Sequence, residues 1–267
     1  MRLAELLRRS TEYLREKGVP SPRVDAELLL AEGLALTRVQ LYTEHDRPLT
    51  AAELERVRVL LRRRGRREPL AYVLGEWGFR RLTLSVDARA LIPRPETEVV
   101  VERCLALLAA EEAPRVLDVG VGSGAIALAI ADEHPGARVT GVDVSADALE
   151  LARENARRTG LEVDLRDGGF EVAAEGWDLV VANPPYVQED EYESVQPEIH
   201  WEPRAALVGE GLHAELARVA RTRRLVLEVG DGQAADVAGA LAGLGYAEVR
   251  ITRDLAERER VVEGHRA

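Results

Sequence analysis

Two stretches of the sequence combine residue types that can do chemistry. In the first, "LVVANPPYVQ" (179–188), an apolar run ends on Asn183-Pro184-Pro185-Tyr186. Neither proline has an N–H to donate, so a sheet cannot continue through them. The proline after Asn183 also pushes that residue's backbone towards the extended region. An amide and a phenol ring are thereby held at the tip of a strand. A planar nitrogen nucleophile, whether an amide or an aromatic amine, has its lone pair delocalised into the neighbouring π-system. To attack an activated methyl it must be held in line, with its N–H groups engaged by acceptors. The Asn183 side-chain oxygen and the Pro184 carbonyl are suitable acceptors, and Tyr186 can pack on the flat group. Such placement supplies on the order of several kcal/mol of barrier reduction. No strong base is needed, because methylation makes the nitrogen acidic. Taken alone, the four residues fit a plain strand terminator equally well.

The second stretch is Asp118-Val119-Gly120-Val121-Gly122-Ser123-Gly124-Ala125, which follows the apolar run RVLDV (115–119). Glycines let the backbone turn sharply and approach a ligand, and the helix after them presents free N–H groups. Asp143 closes the next apolar run, where a carboxylate can accept both hydroxyls of a ribose. Gly120-x-Gly122-x-x-Ala125 satisfies the dinucleotide fingerprint of NAD-dependent oxidoreductases. The same residues form the Gly-x-Gly-x-Gly loop of S-adenosylmethionine-dependent methyltransferases, and the loop by itself leaves both open.

The elements that must position these groups alternate from residue 115 onward. Strands are expected at 115–119, 138–144, 178–182, 225–230 and 246–252, with a weaker one at 161–166 (LEVDLR). Helices lie between them, notably GAIALAIADEH and ADALELARENARRTG. The pattern is that of a doubly wound α/β sheet, which binds ligands outside the carboxyl ends of its strands. Before it, Leu3, Leu6, Leu7 and Leu14 repeat at helical spacing, Ser21-Pro22 starts a second helix, and Thr50 with Glu53 signals a third that runs to Gly65. Residues 75–87 (GEWGFRRLTLSVD) read as a β-hairpin, and LIPRPETE then leads into a helix with acids in its first turn. The expected organisation is a helical domain over 1–74 that recognises substrate, a β-hairpin linker over 75–90 and a catalytic domain over 91–267.

The formal charge of −11 is uneven: residues 1–80 carry 16 Lys+Arg against 12 Asp+Glu, and residues 81–267 carry 20 against 35. An acidic catalytic part disfavours long phosphate contacts. No apolar run is long enough to span a membrane, and the first residues lack the apolar core of a signal peptide. The single cysteine, Cys104, excludes an internal disulfide, lies in a helical run and reads as an inert buried thiol. His45, His134, His200, His213 and His265 show no paired metal spacing, and no metal is expected. The protein is expected to be cytoplasmic. Asn155 and Asn183 are the only asparagines, which gives weight to the placement of one of them before the double proline.

Taken together, "EPLAYVLGEWGF", "LIPRPETE", "DVGVGSGAIALAIA", "GVDVSADALELARENA", "NPPY", "EPRAAL" and "DLAERERVV" resemble the PrmC/HemK family, over nearly the whole chain. NPPY is shared with adenine-N6 and cytosine-N4 methyltransferases of nucleic acids, whereas IPRPETE beside the glycine loop is much more specific. The resemblance implies a class I (Rossmann-like) S-adenosylmethionine-dependent methyltransferase sheet with a small N-terminal helical domain. It implies methylation of the side-chain amide of the glutamine in the Gly-Gly-Gln loop of peptide chain release factors, with no direct nucleic-acid substrate. Carried over, Gly120, Val121, Gly122, Ser123 and Gly124 line the methionine part of the cofactor, Asp143 takes the ribose, and Leu91 and Ile92 wall the pocket. Asn183, Pro184, Pro185 and Tyr186 receive the glutamine amide, with Asn183 also beside the cofactor. The sequence departs from the family in two places. The family has aromatic residues beside the adenine where this chain has Gly168-Gly169-Phe170, so that either Phe170 substitutes or the adenine rests on backbone and aliphatic groups. The region between Leu212 and Leu225 is shortened and lacks the usual Gly-Gly turn. The arginine run Arg62-Arg63-Arg64-Gly65-Arg66-Arg67 is a candidate contact for an acidic partner, or a set of solvated helix-end charges.

Overall fold

The leucines spaced along residues 3–14 wind into α1 (Leu3–Glu16) and bury Leu3, Leu6, Leu7 and Leu14. The computed structural model describes residues 1–266 and divides into two compact units, the first made of Met1–Gly75 together with Gln196–Trp201. In that unit α1 is followed by α2 (Pro22–Leu34), α3 (Arg38–Thr43), α4 (Ala51–Gly65) and α5 (Leu70–Leu74). Thr50 and Glu53 cap α4 reciprocally, as their spacing predicts. The short α3 was not anticipated, although Thr37 and Gln40 form the same reciprocal cap at its start. Gly33 lets α2 approach α4 closely: a Cβ there would lie 2.8 Å from Val57 Cγ2.

The arginine run is neither a continuous basic face nor a row of solvated charges. Arg63 is paired with Glu68. Arg64 is buried and bonds Asp25 at 2.7 Å and Glu198 at 2.8 Å, and Arg67 reaches the other Glu198 oxygen at 2.6 Å. Only Arg62 and Arg66 of the run are exposed. Buried guanidinium groups persist only where carboxylates neutralise them, and Glu198 comes from a segment far along the chain.

The second unit holds residues 76–195 and those from Glu202 onward. It opens on the antiparallel hairpin β1 (Glu76–Phe79) and β2 (Leu82–Ser85). Phe79 and Leu84 are fully buried in this unit's core, so the hairpin is built into the second unit and is not a free connection. Next come α6 (Thr97–Leu108), β3 (Arg115–Val119), α7 (Ala125–Glu133), β4 (Arg138–Asp143), α8 (Ala146–Thr159), β5 (Asp164–Asp167) and β6 (Leu179–Ala182). They are followed by α9 (Glu189–Tyr192), α10 (Leu212–Val219), β7 (Arg224–Glu228), α11 (Ala234–Gly243), β8 (Ala247–Arg253) and β9 (Glu259–His265). The seven-stranded sheet has the order β5-β4-β3-β6-β7-β9-β8. The first five strands are parallel, and β9 inserts antiparallel between β7 and β8. The central parallel strands are continuous apolar runs because helices cover both faces; all four residues of β6 are buried.

Two strands depart from the sequence reading. β5 begins at Asp164, three residues beyond the expected start, and β9 was not expected at all. ERVVEGH hides its strand character in charge. Glu263 is buried but bound by both donors of the Arg103 fork at 2.7 Å, and Arg260 is buried against Asp231 at 2.9 Å and Asp254 at 3.2 Å. No helix among the described residues is long and apolar enough to cross a membrane. Cys104 is fully buried and burial pushes its thiol up, which keeps it protonated and inert.

Candidate active site

The strand order reverses direction between β3 and β6, which opens a crevice at their carboxyl ends. A cavity of about 680 Å³ lies there. Gly120, Val121, Gly122, Ser123, Asp143, Gly168, Phe170, Asn183 and Pro185 all line it, together with Leu91 and Ile92. Of the residues singled out from sequence, Gly124, Pro184 and Tyr186 are absent from its lining. Gly124 precedes α7 at φ 87°, and a Cβ there would meet Leu128 at 3.0 Å, so it is constrained by its left-handed backbone and by helix packing.

The glycine loop turns because three of its residues sit in the left-handed region, with φ of 76° at Gly120, 54° at Gly122 and 87° at Gly124. Gly120 and Gly122 both line the cavity, and a Cβ added to Gly120 would meet nothing within 4 Å. A side chain at either position would take up room in the cavity. Asp143, the last residue of β4, reaches across the loop. Its Oδ2 accepts from Gly122 N at 2.9 Å, and its Oδ1 accepts from Ser145 N at 2.9 Å. Each oxygen keeps lone-pair capacity for one more donor. The carboxylate is therefore held in place before any ligand arrives.

Behind the loop, Asp118 accepts from Ala127 N at 3.0 Å, while its other oxygen is buried without a partner. Burial raises its carboxyl to about 7 against the opposing effect of that backbone bond. Asn155, the chain's other asparagine, is fully buried on α8. Its Oδ1 accepts from Ser85 N at 2.7 Å, and its Nδ2 donates to Ser85 O at 3.0 Å and Ser123 O at 2.9 Å. One amide thus ties the hairpin to the glycine loop. Its rarity in the sequence gives no sign of this role.

Residues outside the two motifs support the site. Glu202 is buried and accepts from Ile92 N at 2.9 Å and from Arg94 at 2.5 Å, which anchors the cavity wall through IPR. Tyr186 O accepts from Gln233 Nε2 at 3.0 Å, and Gln233 Oε1 accepts from Gly230 N at 3.1 Å. A Cβ on Gly230 would lie 2.9 Å from the Tyr186 ring, so only glycine admits the ring there. Burial raises the Tyr186 phenol to about 12, with Glu228 and Glu96 adding to the effect, so the hydroxyl stays protonated. Beside the cavity, Phe170 is half-buried and also packs against the apolar cluster around Val172 and Ala173.

The shortened region forms a two-turn helix, α10, entered through Gly211 at φ 72°. Leu212, Glu215 and Val219 of that helix line the cavity, so the departure shapes one of its walls.

Residues 5–75 match the model of the PrmC N-terminal domain, and residues 99–223 match the methyltransferase small domain. The release factor glutamine methyltransferase of Geobacter sulfurreducens is 43% identical over 264 residues, covering 94% of this chain and 92% of that one. The protein of the same description from Chlorobaculum tepidum is 41% identical, covering 97% and 95%. That from Deinococcus radiodurans is 40% identical, covering 100% and 99%. Among solved structures, the hMettl16 catalytic domain in complex with the MAT2A 3'UTR hairpin 6 aligns with a TM-score of 0.55 at 15% identity, over 68% of this chain and 74% of that one. A methyltransferase from Pyrococcus furiosus aligns with a TM-score of 0.50 at 18% identity, over 68% and 87%. At such identities these two show the fold alone, that of class I S-adenosylmethionine-dependent methyltransferases.

Proposed function

The chain belongs to the release factor glutamine methyltransferase family, and from that premise we propose that its cavity holds S-adenosylmethionine on the glycine loop and the substrate amide on Asn183–Tyr186. The protein transfers a methyl group from S-adenosylmethionine to the side-chain amide nitrogen of a release factor glutamine. One observation carries the assignment of residues: Asn183, Asp143 and the glycine loop, separated in sequence, line the same cavity.

The residues present suit this cofactor. Asp143 is pre-aligned with spare lone pairs for two ribose hydroxyls, and Gly120 and Gly122 leave the loop backbone open to close approach. When bound, S-adenosylmethionine supplies a methyl group on a positively charged sulfur. The Asn183 Oδ1 accepts one N–H of the glutamine amide and aims its nitrogen; the Pro184 carbonyl, which lies outside the cavity's lining, is assigned the other N–H from the motif alone. The amide nitrogen, so held, would take that methyl group, with the sulfur keeping the electron pair of the bond given up. The nitrogen then loses a proton to water. Orientation by two fixed acceptors is the protein's contribution, which accords with the absence of a general base in the assigned set.

Phe170 lines the same cavity and is the side chain we assign to the adenine. Phe170→Ala is expected to weaken S-adenosylmethionine binding by about 1–3 kcal/mol, the range for one base–aromatic stack. Calorimetry giving an unchanged dissociation constant would return Phe170 to a purely packing role.

A flat amide site cannot distinguish one glutamine from another, so selectivity for the release factor requires a second surface. We assign it to the helical N-terminal unit, through its exposed arginines Arg62 and Arg66. Charge at such a rim acts mainly on association rate. The double variant Arg62→Glu/Arg66→Glu is expected to lower kcat/KM for the intact release factor several-fold, with a weaker salt dependence, while a short Gly-Gly-Gln peptide is methylated as before. Equal loss on both substrates would move the reading surface elsewhere. The function as a whole is tested by offering methyl-labelled S-adenosylmethionine with release factor, DNA or RNA: label on the release factor glutamine is expected, and label on nucleic acid would overturn the assignment.

A further inference from the structure

Beneath the proposed amide site lies a side chain that the reaction as described does not use. Glu228 ends β7 and is fully buried. The parallel ladder pairs Val181 with Val226 and Ala182 with Leu227, so its next rung sets Asn183 beside Glu228. Both Glu228 carboxyl oxygens are buried and neither has a partner at hydrogen-bond geometry. The Thr97 hydroxyl, at the start of α6, and the Asn183 amide are nonetheless close enough to favour its charged form. Thr97 is itself buried, and its Oγ1 accepts from Asn183 Nδ2 at 3.4 Å, a long contact. Leaving a buried carboxyl without partners is costly, and burial raises this one to about 7. Its other charged neighbours are Glu96 and Arg260, and Arg260 is already committed to Asp231 and Asp254. The backbone carbonyl of Glu228 meets His213 Nε2 at 2.8 Å, which holds the residue in place without reaching the carboxyl group.

We infer that Glu228, acting with Thr97, is a positioning residue that fixes which way the Asn183 amide points. The inference rests on the reading that Asn183 Oδ1 receives the substrate N–H. An asparagine amide has two nearly isosteric ends, and its neighbours decide between them. A carboxyl group offers acceptors behind Asn183, and the Thr97 hydroxyl oxygen, which already accepts from Asn183 Nδ2, is a further acceptor on the same side. The Asn183 NH2 is therefore drawn backward and the Oδ1 is left facing the cavity. A glutamine at 228 would bring an NH2 of its own into the same space. That donor would attract Asn183 Oδ1 and turn the wrong end of Asn183 towards the substrate.

The test uses the full-length protein with release factor as substrate, and compares Glu228→Gln, Thr97→Val, Thr97→Ser and Asn183→Ala. Glu228→Gln and Thr97→Val are expected to lower kcat by about 10- to 100-fold, the scale of a small misplacement of reacting groups. The KM for release factor and the Kd for S-adenosylmethionine should stay within about twofold of the parent, since a misaligned amide impairs the transition state more than binding. Thr97→Ser keeps the hydroxyl and should retain most of the rate, which a role confined to packing the threonine methyl would not produce. A folded Glu228→Gln enzyme with parental kcat would overturn the inference. If that variant does not fold, Thr97→Val and Thr97→Ser decide in its place: equal rates for the two would overturn it. Asn183→Ala separates the two levels of the argument. If it is inactive while Glu228→Gln and Thr97→Val turn over normally, only the positioning role fails; if it is active, the reading of Asn183 fails as well.

Discussion

Asn183→Ala is expected to lower kcat by about 100- to 1,000-fold, the loss seen when one preorganised polar contact to a reacting group is removed, while leaving cofactor affinity nearly unchanged. Asn183 follows the buried strand β6 and precedes two prolines, so its backbone is set from both sides. In the ground state a glutamine amide still finds other contacts, and what the variant loses is alignment of the nitrogen lone pair with the methyl–sulfur axis. The defect should therefore appear in kcat and kcat/KM together, the signature of an interaction needed in the transition state. Asn183 lines the same cavity as the glycine loop, so a modest effect on cofactor binding is compatible with its role. Single-turnover measurement at saturating cofactor separates the two. Near-parental turnover, or a loss of cofactor affinity large enough to explain the whole defect, would remove the amide-holding role.

Asp143→Ala is expected to weaken S-adenosylmethionine binding by about 3 kcal/mol, roughly a hundredfold in Kd, as two hydrogen bonds from ribose hydroxyls to a charged group are lost. The substitution also leaves Gly122 N and Ser145 N without their acceptor, which loosens the loop that must approach the ligand. Asp143→Asn retains an acceptor oxygen but introduces a donor beside those same N–H groups, and should fall between the parent and alanine. Isothermal titration of the three proteins checks the order. Unchanged affinity in Asp143→Ala, or tight binding of NAD by the parent, would return the loop to its dinucleotide reading.

The groups proposed to contact ligands were legible in the sequence because each depends on local backbone chemistry. Gly120 and Gly122 adopt left-handed conformations that ordinary side chains resist. Asn183 is confined by the proline after it, and Asp143 closes a strand whose apolar pattern marks its end. The Thr50–Glu53 cap and the leucines of α1 belong to the same class of signal. Interactions spanning three residues, or four on a helix, are written in the order of the chain.

What holds those groups in place was decided by contacts between residues far apart in sequence. Asn155 braces the glycine loop from α8, Glu202 anchors Ile92 and Arg94 across 110 and 108 positions, and Gln233 holds the Tyr186 carbonyl across 47. The arginine run read as a contact for an acidic partner or as solvated helix-end charges, yet Arg64 and Arg67 turn inward because Glu198 arrives to neutralise them. β9 was hidden for the same reason: Arg260 and Glu263 are tolerable in an inner strand only because Asp231, Asp254 and Arg103 meet them. A charged side chain is read as exposed until its partner is known, and the partner is set by strand order and helix packing. The sequence by itself determined which residues can turn, cap and present acceptors. The tertiary structure alone decided which buried charges are satisfied, and where Glu228 stands behind Asn183, because desolvation makes the cost of each polar group depend on what the rest of the chain brings beside it.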